Sequence, residues 1–319
     1  MGLGGRELKN EKITKKQPMI TQTQTKPGQR ILVIGGDSTI GTSLYHEARA
    51  RGLDICRTSR RGSYSENTWH LDLGHEDSKW ALAKLAQARG ITGAVVVLGE
   101  TSMTFCANDP KASYKTNVTD TLELINALDN IGVKVTVLSS SAVFSGRAPN
   151  PTEDSACDPE TEYGRQKAAI EESVMDLEGT SILRLTKVLS PNAGPWSQWI
   201  EEIREGSPVQ AFGNVNLAPL RIPVVVDAIL RCLQHPVNRI VHLSPPDEVT
   251  YANAVTLMAD EMHLPLTLES RHAARDVNRG IFPDRWAALG SLHRNDFSHP
   301  ESSATAIQMF TLGRVGLDS

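Results

Sequence analysis

The segment YGRQK sets Tyr163 and Lys167 four residues apart. In a helix that spacing puts both side chains on one face. A phenol can give up a proton, and a neighbouring ammonium stabilises the phenolate and draws its pKa down from about 10. Such a pair suits a general acid working near neutral pH. The same spacing also arises by accident on surface helices, so what precedes it in the chain has to decide. Upstream, an apolar run ends in the serines of VLSSSAVFSG, Ser139 to Ser141. Hydroxyls at the mouth of a buried strand need hydrogen-bond partners.

Two earlier stretches carry binding chemistry. GGDSTIG, Gly35 to Gly41, lets the backbone approach a pyrophosphate and opens a helix whose first N–H groups are free for an anion. Ser38 stands where a glycine is usual, and its small hydroxyl can still donate to a phosphate. RTSRR offers Ser59, Arg60 and Arg61, where an NAD-preferring site places an acid on the ribose 2′-OH. A hydroxyl and two cations suit a 2′-phosphate, or else form a solvated basic turn. Asp72, in WHLDLG, can accept from an adenine amino group or cap the next helix.

The elements that would position these residues read clearly. RILVIGG, from Arg30, is a β-branched apolar run closed by glycines, a buried strand. STIGTSLYHEARARG then shows helical spacing at Ile40, Leu44 and Ala48, with Gly52 as a stop. Further strands are LDICRT, GAVVVLG (93–99), KVTVLSS (134–140), SILRLTKV (181–188) and RIVHLS (239–244). Helices are predicted over 77–89, 117–131 and 163–177. This alternation predicts an α/β fold, a Rossmann-type doubly wound parallel sheet covered on both faces. Ligands bind such sheets at the carboxyl ends of the strands, where the glycine loop, the arginine pair and the serine run all fall.

Residues 190–221 break that rhythm and carry Trp196, Trp199 and Arg221. They predict a dinucleotide-binding domain over 30–188 and a smaller C-terminal substrate-binding lobe over 189–319, with 221–244 returning to the sheet. The tryptophans can cover a sugar or base, or pack a core. Arg221 can reach a diphosphate or form a surface salt bridge.

With 319 residues and a formal net charge of -4, the chain carries no nucleic-acid or membrane footprint. The four cysteines are far apart and the nine histidines scattered, so no metal site is expected. The absence of a long apolar run and the thiol spacing predict a cytoplasmic protein. Residues 1–29 are polar and aperiodic and are expected to be a disordered tail. The segment beyond about 265 carries many arginines and histidines and no recognisable motif.

Taken together, ILVIGGDSTIG, SRR, LDL, VVVLGETS, NVTDTLELINAL, VLSSSAVFSG, YGRQKAAIEE, ILRLTKVLSP, APLRIPVVVDAI and VHLSPPDEVTYANA resemble, in order, the extended short-chain dehydrogenase/reductase superfamily. Within it they are most similar to the dTDP-4-dehydrorhamnose reductase group, the sugar nucleotide-binding reductases. The resemblance implies an NADP-dependent oxidoreductase (NAD being possible) that reduces a nucleotide-linked keto-sugar by hydride transfer. It implies that Ser140 holds the reacting oxygen, Tyr163 is the general acid, and Lys167 binds the nicotinamide ribose and tunes Tyr163. Gly35, Ser38, Thr39, Ile40 and Gly41 would cradle the pyrophosphate. Ser59, Arg60, Arg61, Asp72 and Leu98 would complete the cofactor site. Asn117 resembles the asparagine that supports the lysine, or is a helix cap. Ser141, Trp196 and Arg221 would face the sugar nucleotide, and a homodimer is a plausible assembly.

The rhamnose-type reductases show Thr-Asp-Tyr where this chain has Ser140-Ser141-Ala142, which is closer to the epimerase style. An epimerase or dehydratase is therefore one alternative. Another is a non-catalytic NADP-binding regulatory subunit, like the β subunit of methionine adenosyltransferase, since a fold does not assign a function.

Overall fold

The computed structural model describes residues 29–61, 64–237, 239–292 and 300–315. The expected tail lies outside the described residues except for Gln29, whose side-chain amide donates to the Leu233 carbonyl (2.7 Å).

A seven-stranded, wholly parallel sheet forms the body. Its strands are β1 (Arg30–Ile34), β2 (Asp54–Ser59), β3 (Thr68–His70), β4 (Gly93–Val96), β5 (Lys134–Ser140), β6 (Ser181–Leu185) and β11 (Ile240–Leu243). They lie in the order β11-β6-β5-β4-β1-β2-β3. The chain direction reverses its march between β1 and β4, so a crevice opens there at the carboxyl ends. On one face, Leu44 and Ala48 of α1 (Thr39–Ala50) and Val225 and Ile229 of α8 (Ile222–Gln234) cover Ile31, Val33 and Val95. On the other, α2 (Glu76–Ala88), α5 (Thr121–Asp129) and α6 (Glu162–Val174) bury Leu82, Leu124, Ile170 and Val174 against Leu32, Ile34 and Val137. This is the doubly wound α/β architecture that the sequence pattern predicts.

Two elements differ from their sequence-predicted form. The helix expected over 117–131 begins earlier, as the short helices α3 (Met103–Asn108) and α4 (Pro110–Tyr114), and passes through a π-helical segment, Lys115–Asp120, before α5. The widened turn directs Asn117 and Asp120 inward, where both are buried. The strand expected over 181–188 breaks after Leu185. β6 stays in the main sheet, while β7 (Lys187–Leu189) pairs in parallel with β10 (Pro219–Arg221).

A third hydrophobic cluster is built by α7 (Trp196–Glu205), β8 (Val209–Phe212), β9 (Asn216–Leu217), α9 (Tyr251–Met262) and α10 (Ser303–Val315). Strand β12 (Val249–Thr250) pairs with β9, and β13 (Leu268–Arg271) with β8. No helix among the described residues is long and apolar enough to cross a membrane.

Candidate functional site

The glycine loop follows β1. Gly35 sits at φ 94°, in the left-handed region, and a Cβ there would meet Leu98 at 2.9 Å. A Cβ on Gly41 would overlap the Gly35 carbonyl oxygen, so the loop can close this tightly only with glycines. Ser38 is the N-cap of α1: its hydroxyl accepts from Gly41 N (3.0 Å) and donates to Gly35 O (2.8 Å). The expected Ser38 donation to a phosphate is thus corrected, because that proton is spent inside the loop. The first-turn N–H groups of Thr39 and Ile40 precede any i−4 acceptor and form the positive end of α1. Bare backbone, a glycine-only approach and a helix N-terminus fit the pyrophosphate of a dinucleotide.

At the end of β2, Ser59 is buried and its hydroxyl donates to Asp37 Oδ2 (2.9 Å). The same oxygen accepts the Arg60 backbone N–H (3.0 Å), and Arg61 N donates to Ser59 Oγ (3.1 Å). The Arg60 and Arg61 side chains are exposed. Asp37 was not among the sequence candidates. The signal was an acid inside the glycine loop, but its meeting with Ser59 depends on a contact across two strands. Asp72 accepts from Gly74 N (3.1 Å), a turn just before α2, whose N-cap is His75 rather than Asp72.

Around β4 and β5 the candidates converge. Tyr163 and Lys167 lie one turn apart on α6, with the Lys167 ammonium 5.7 Å from the Tyr163 ring centre. Lys167 Nζ donates to the Leu138 carbonyl (3.0 Å), which ties it to the end of β5. The Ser140 hydroxyl, at the end of β5, accepts from Ala142 N (3.1 Å). The expected tuning of the tyrosine by the lysine is not met. Burial pushes the phenol up to about 12, an effect that the nearby Ser140 side chain opposes. Burial draws Lys167 down to about 8, opposed by the charge of Glu171. The phenol therefore carries its proton at neutral pH, and the lysine keeps most of its charge.

Asn117 clamps other groups. Its side chain accepts from Glu100 N (2.6 Å) and donates to Glu100 O (2.9 Å) and Gln166 Oε1 (2.7 Å). It thereby ties the loop after β4 to α6 beside Lys167, and supports the lysine's helix rather than its ammonium. The oxygens Ser139 Oγ and Thr186 Oγ1, at the ends of β5 and β6, are buried and have no hydrogen-bond partner among the described residues. Unpaired hydroxyls of this kind call for a water or a ligand.

The substrate-side candidates separate. Ser141 follows Ser140 and starts a single 3-10 turn, half-buried at the cleft. Trp196 is corrected: it is 0% exposed, stacked on Tyr251 at 5.8 Å and edge-on to Trp199 at 5.4 Å. The inward face of α7 buries both indoles, so Trp196 is core. Arg221 Nε is held by Glu301 (2.5 Å), the salt bridge that competed with a diphosphate contact. Lys187, missed in the sequence, follows β6 at its carboxyl end. The residue is exposed, and no carboxylate pairs with it among the described residues.

The unassigned C-terminal segment joins the rim of the cleft. Glu160, just ahead of α6, pairs with Arg147 (2.5 Å), Arg275 (2.5 Å) and Arg285 (3.7 Å). A separate cavity of about 730 Å³ lies along α6 and β6, lined by Cys157, Glu171, Met175, Arg184 and Arg239. No group of three or more His, Cys, Asp or Glu residues that could hold a metal ion occurs among the described residues.

Comparison with known proteins places the sequence and the fold. The chain is 24% identical over 272 residues to methionine adenosyltransferase 2 subunit beta of Xenopus tropicalis, covering 76% of this chain and 74% of that protein. The fold is similar to dTDP-4-dehydrorhamnose reductase from Bacillus anthracis in complex with NADP, with a TM-score of 0.77 at 15% identity over 89% of this chain and 99% of that one. It is also similar to UDP-glucose 4-epimerase from Thermotoga maritima with UDP-glucose, with a TM-score of 0.76 at 16% identity over 91% and 100%. The family model for NAD dependent epimerases and dehydratases matches residues 31–243, and the chain belongs to that family.

Proposed function

We propose that the protein is an NADP(H)-dependent reductase of a nucleotide-linked keto-sugar, with Ser140, Tyr163 and Lys167 as its reacting set. The observation that carries this reading is Tyr163 and Lys167 one turn apart on α6, the ammonium 5.7 Å from the phenol ring and tied to the Leu138 carbonyl of β5 (3.0 Å), the strand that ends in Ser140.

Gly35, Gly41 and the N–H groups of Thr39 and Ile40 would hold the pyrophosphate, Arg60 and Arg61 the 2′-phosphate, and Lys167 the nicotinamide ribose. When bound, the dinucleotide supplies a hydride to the carbonyl carbon. Ser140 would hold the carbonyl oxygen by a hydrogen bond that strengthens as charge develops there. Tyr163, protonated at neutral pH, would give its proton to that oxygen. The Lys167 charge would offset the phenolate left behind. Lys187, an exposed cation that opens β7 and has no ion pair among the described residues, and Ser141 are suited to the polar part of the sugar nucleotide.

The test is consumption of NADPH with a panel of nucleotide-linked 4-keto-sugars. Loss of the reduced-nicotinamide absorbance with one of them supports the reading, and none with any of them overturns it. A second reading rests on the curated relative, a named subunit of a larger enzyme. The chain would then bind the dinucleotide and a methionine adenosyltransferase chain without turnover, which co-elution of the two on size exclusion would reveal.

A further inference from the structure

In the glycine loop, the Asp37 carboxylate is fixed at the carboxyl end of β2. One of its oxygens takes both the Ser59 hydroxyl (2.9 Å) and the Arg60 backbone N–H (3.0 Å). The end of the second strand is where this fold receives the adenosine ribose, and where an acid accepts a 2′-OH or a cation receives a 2′-phosphate. Here both chemistries meet. The backbone of RTSRR, read in sequence as a phosphate grip, is anchored to an acid supplied from another loop. Its two guanidiniums are exposed, and it is the Arg60 backbone, not a guanidinium, that meets the acid.

We propose that Asp37 is a cofactor-specificity residue, a carboxylate that opposes a 2′-phosphate and accepts a ribose 2′-OH, so that the preference of this chain for NADP over NAD is held to within about tenfold. The inference rests on the dinucleotide reading above and adds the residue that limits its preference. Two donors aimed at one carboxylate oxygen leave the second oxygen as an acceptor for a hydroxyl. The negative charge repels a phosphate at that place, and Arg60 and Arg61 offset the repulsion. Ser59 is not available as a phosphate donor while its proton points to Asp37. The acid thus acts twice, by its charge and by taking the hydroxyl that would otherwise serve the phosphate.

The experiment is equilibrium binding of NADP and NAD to the full chain, by calorimetry or nicotinamide fluorescence. Asp37→Asn keeps an acceptor for Ser59 and Arg60 N and removes only the charge. Asp37→Ser guards against a local effect of the amide. The wild type is expected to bind the two dinucleotides within about tenfold of each other. Both variants are expected to tighten NADP by about tenfold, with NAD unchanged or weaker, and the gain should shrink as ionic strength rises. A ratio of the two dissociation constants that moves less than about threefold in both variants overturns the role of Asp37 while leaving the dinucleotide site standing. A wild type that binds neither dinucleotide overturns that site, and the inference with it.

Discussion

Gly164 of α6 lies against the backbone of Ala142 so closely that a Cβ at this position would overlap the Ala142 carbonyl oxygen. The glycine of YGRQK is therefore a packing requirement. It lets the first turn of α6, capped by Thr161 through Gly164 N (2.9 Å), settle onto the turn after β5. That contact sets the first turn of α6, and Tyr163 with it, beside the turn that Ser140 opens.

Gly164→Ala meets backbone that cannot rotate away, so α6 must shift. Overpacking of this kind costs about 1–3 kcal/mol. The expected outcome is a lower Tm together with a loss of turnover larger than the lost stability explains. Wild-type activity in a variant of unchanged Tm would show that α6 tolerates the displacement.

A second relationship holds the far side of α6. Arg184 and Glu171, 2% and 4% exposed, form a buried ion pair at 2.6 Å. Arg184 Nη1 also lies 3.1 Å from His242 Nε2, and His242 Nδ1 lies 2.7 Å from Gly290 O. A carbonyl can only accept, so Nδ1 carries the proton and Nε2 accepts from Arg184. Burial accordingly holds the His242 pKa below its usual value. Removing one partner of a buried pair leaves an uncompensated charge, at a cost of about 3–5 kcal/mol. Glu171→Ala and Arg184→Met should each lose that much in urea denaturation. The double change, Glu171→Leu with Arg184→Met, should lose less than either single one. Equal losses for all three would contradict the pair.

Much of this was legible in the sequence, for local reasons. β-branched runs ending in glycine or serine gave the parallel strands, and a spacing of four in a helix put Tyr163 and Lys167 on one face. What was hidden depends on contacts between distant segments. Asp37 meets Ser59 only once β1 and β2 pair. Glu301, far along the chain, takes Arg221. Trp196 reads equally as a lid or a core residue until α7 is docked with both indoles inward. The π-helical segment at Lys115–Asp120 has no composition of its own. It is stabilised by the Asp120 bonds to Lys79 (3.1 Å) and Lys115 (2.7 Å) and by the Asn117 clamp, none of which periodicity reveals.

The arginines at the end of β2 give a prediction that complements the Asp37 variants. Arg60→Ala removes a cation that only a 2′-phosphate can use, so NADP should weaken by about tenfold while NAD changes little. Binding isotherms for both dinucleotides check it. Equal weakening of the two would assign Arg60 to the pyrophosphate instead.

The last prediction concerns Tyr163 and Lys167 together. Tyr163→Phe keeps the ring and removes the transferable proton, so dinucleotide binding should survive while turnover falls by about 10²–10⁴-fold. Lys167→Met should lower both affinity and rate. It should also leave a mark on stability against pH. The folded-state pKa of Lys167 is near 8, below its ordinary value of 10.5. Between those two values the unfolded chain holds the lysine proton and the folded chain does not, so this group makes stability rise with pH in that window. Tyr163 acts in the opposite sense at higher pH. Its folded pKa is near 12, above its ordinary 10.0, so stability falls as pH rises between them. The wild type should therefore gain stability relative to Lys167→Met as pH rises from about 8 to 10, with no such gain below pH 7. Denaturant midpoints of both proteins across that range measure it. Parallel curves throughout would mean that Lys167 keeps an ordinary pKa and reaches water.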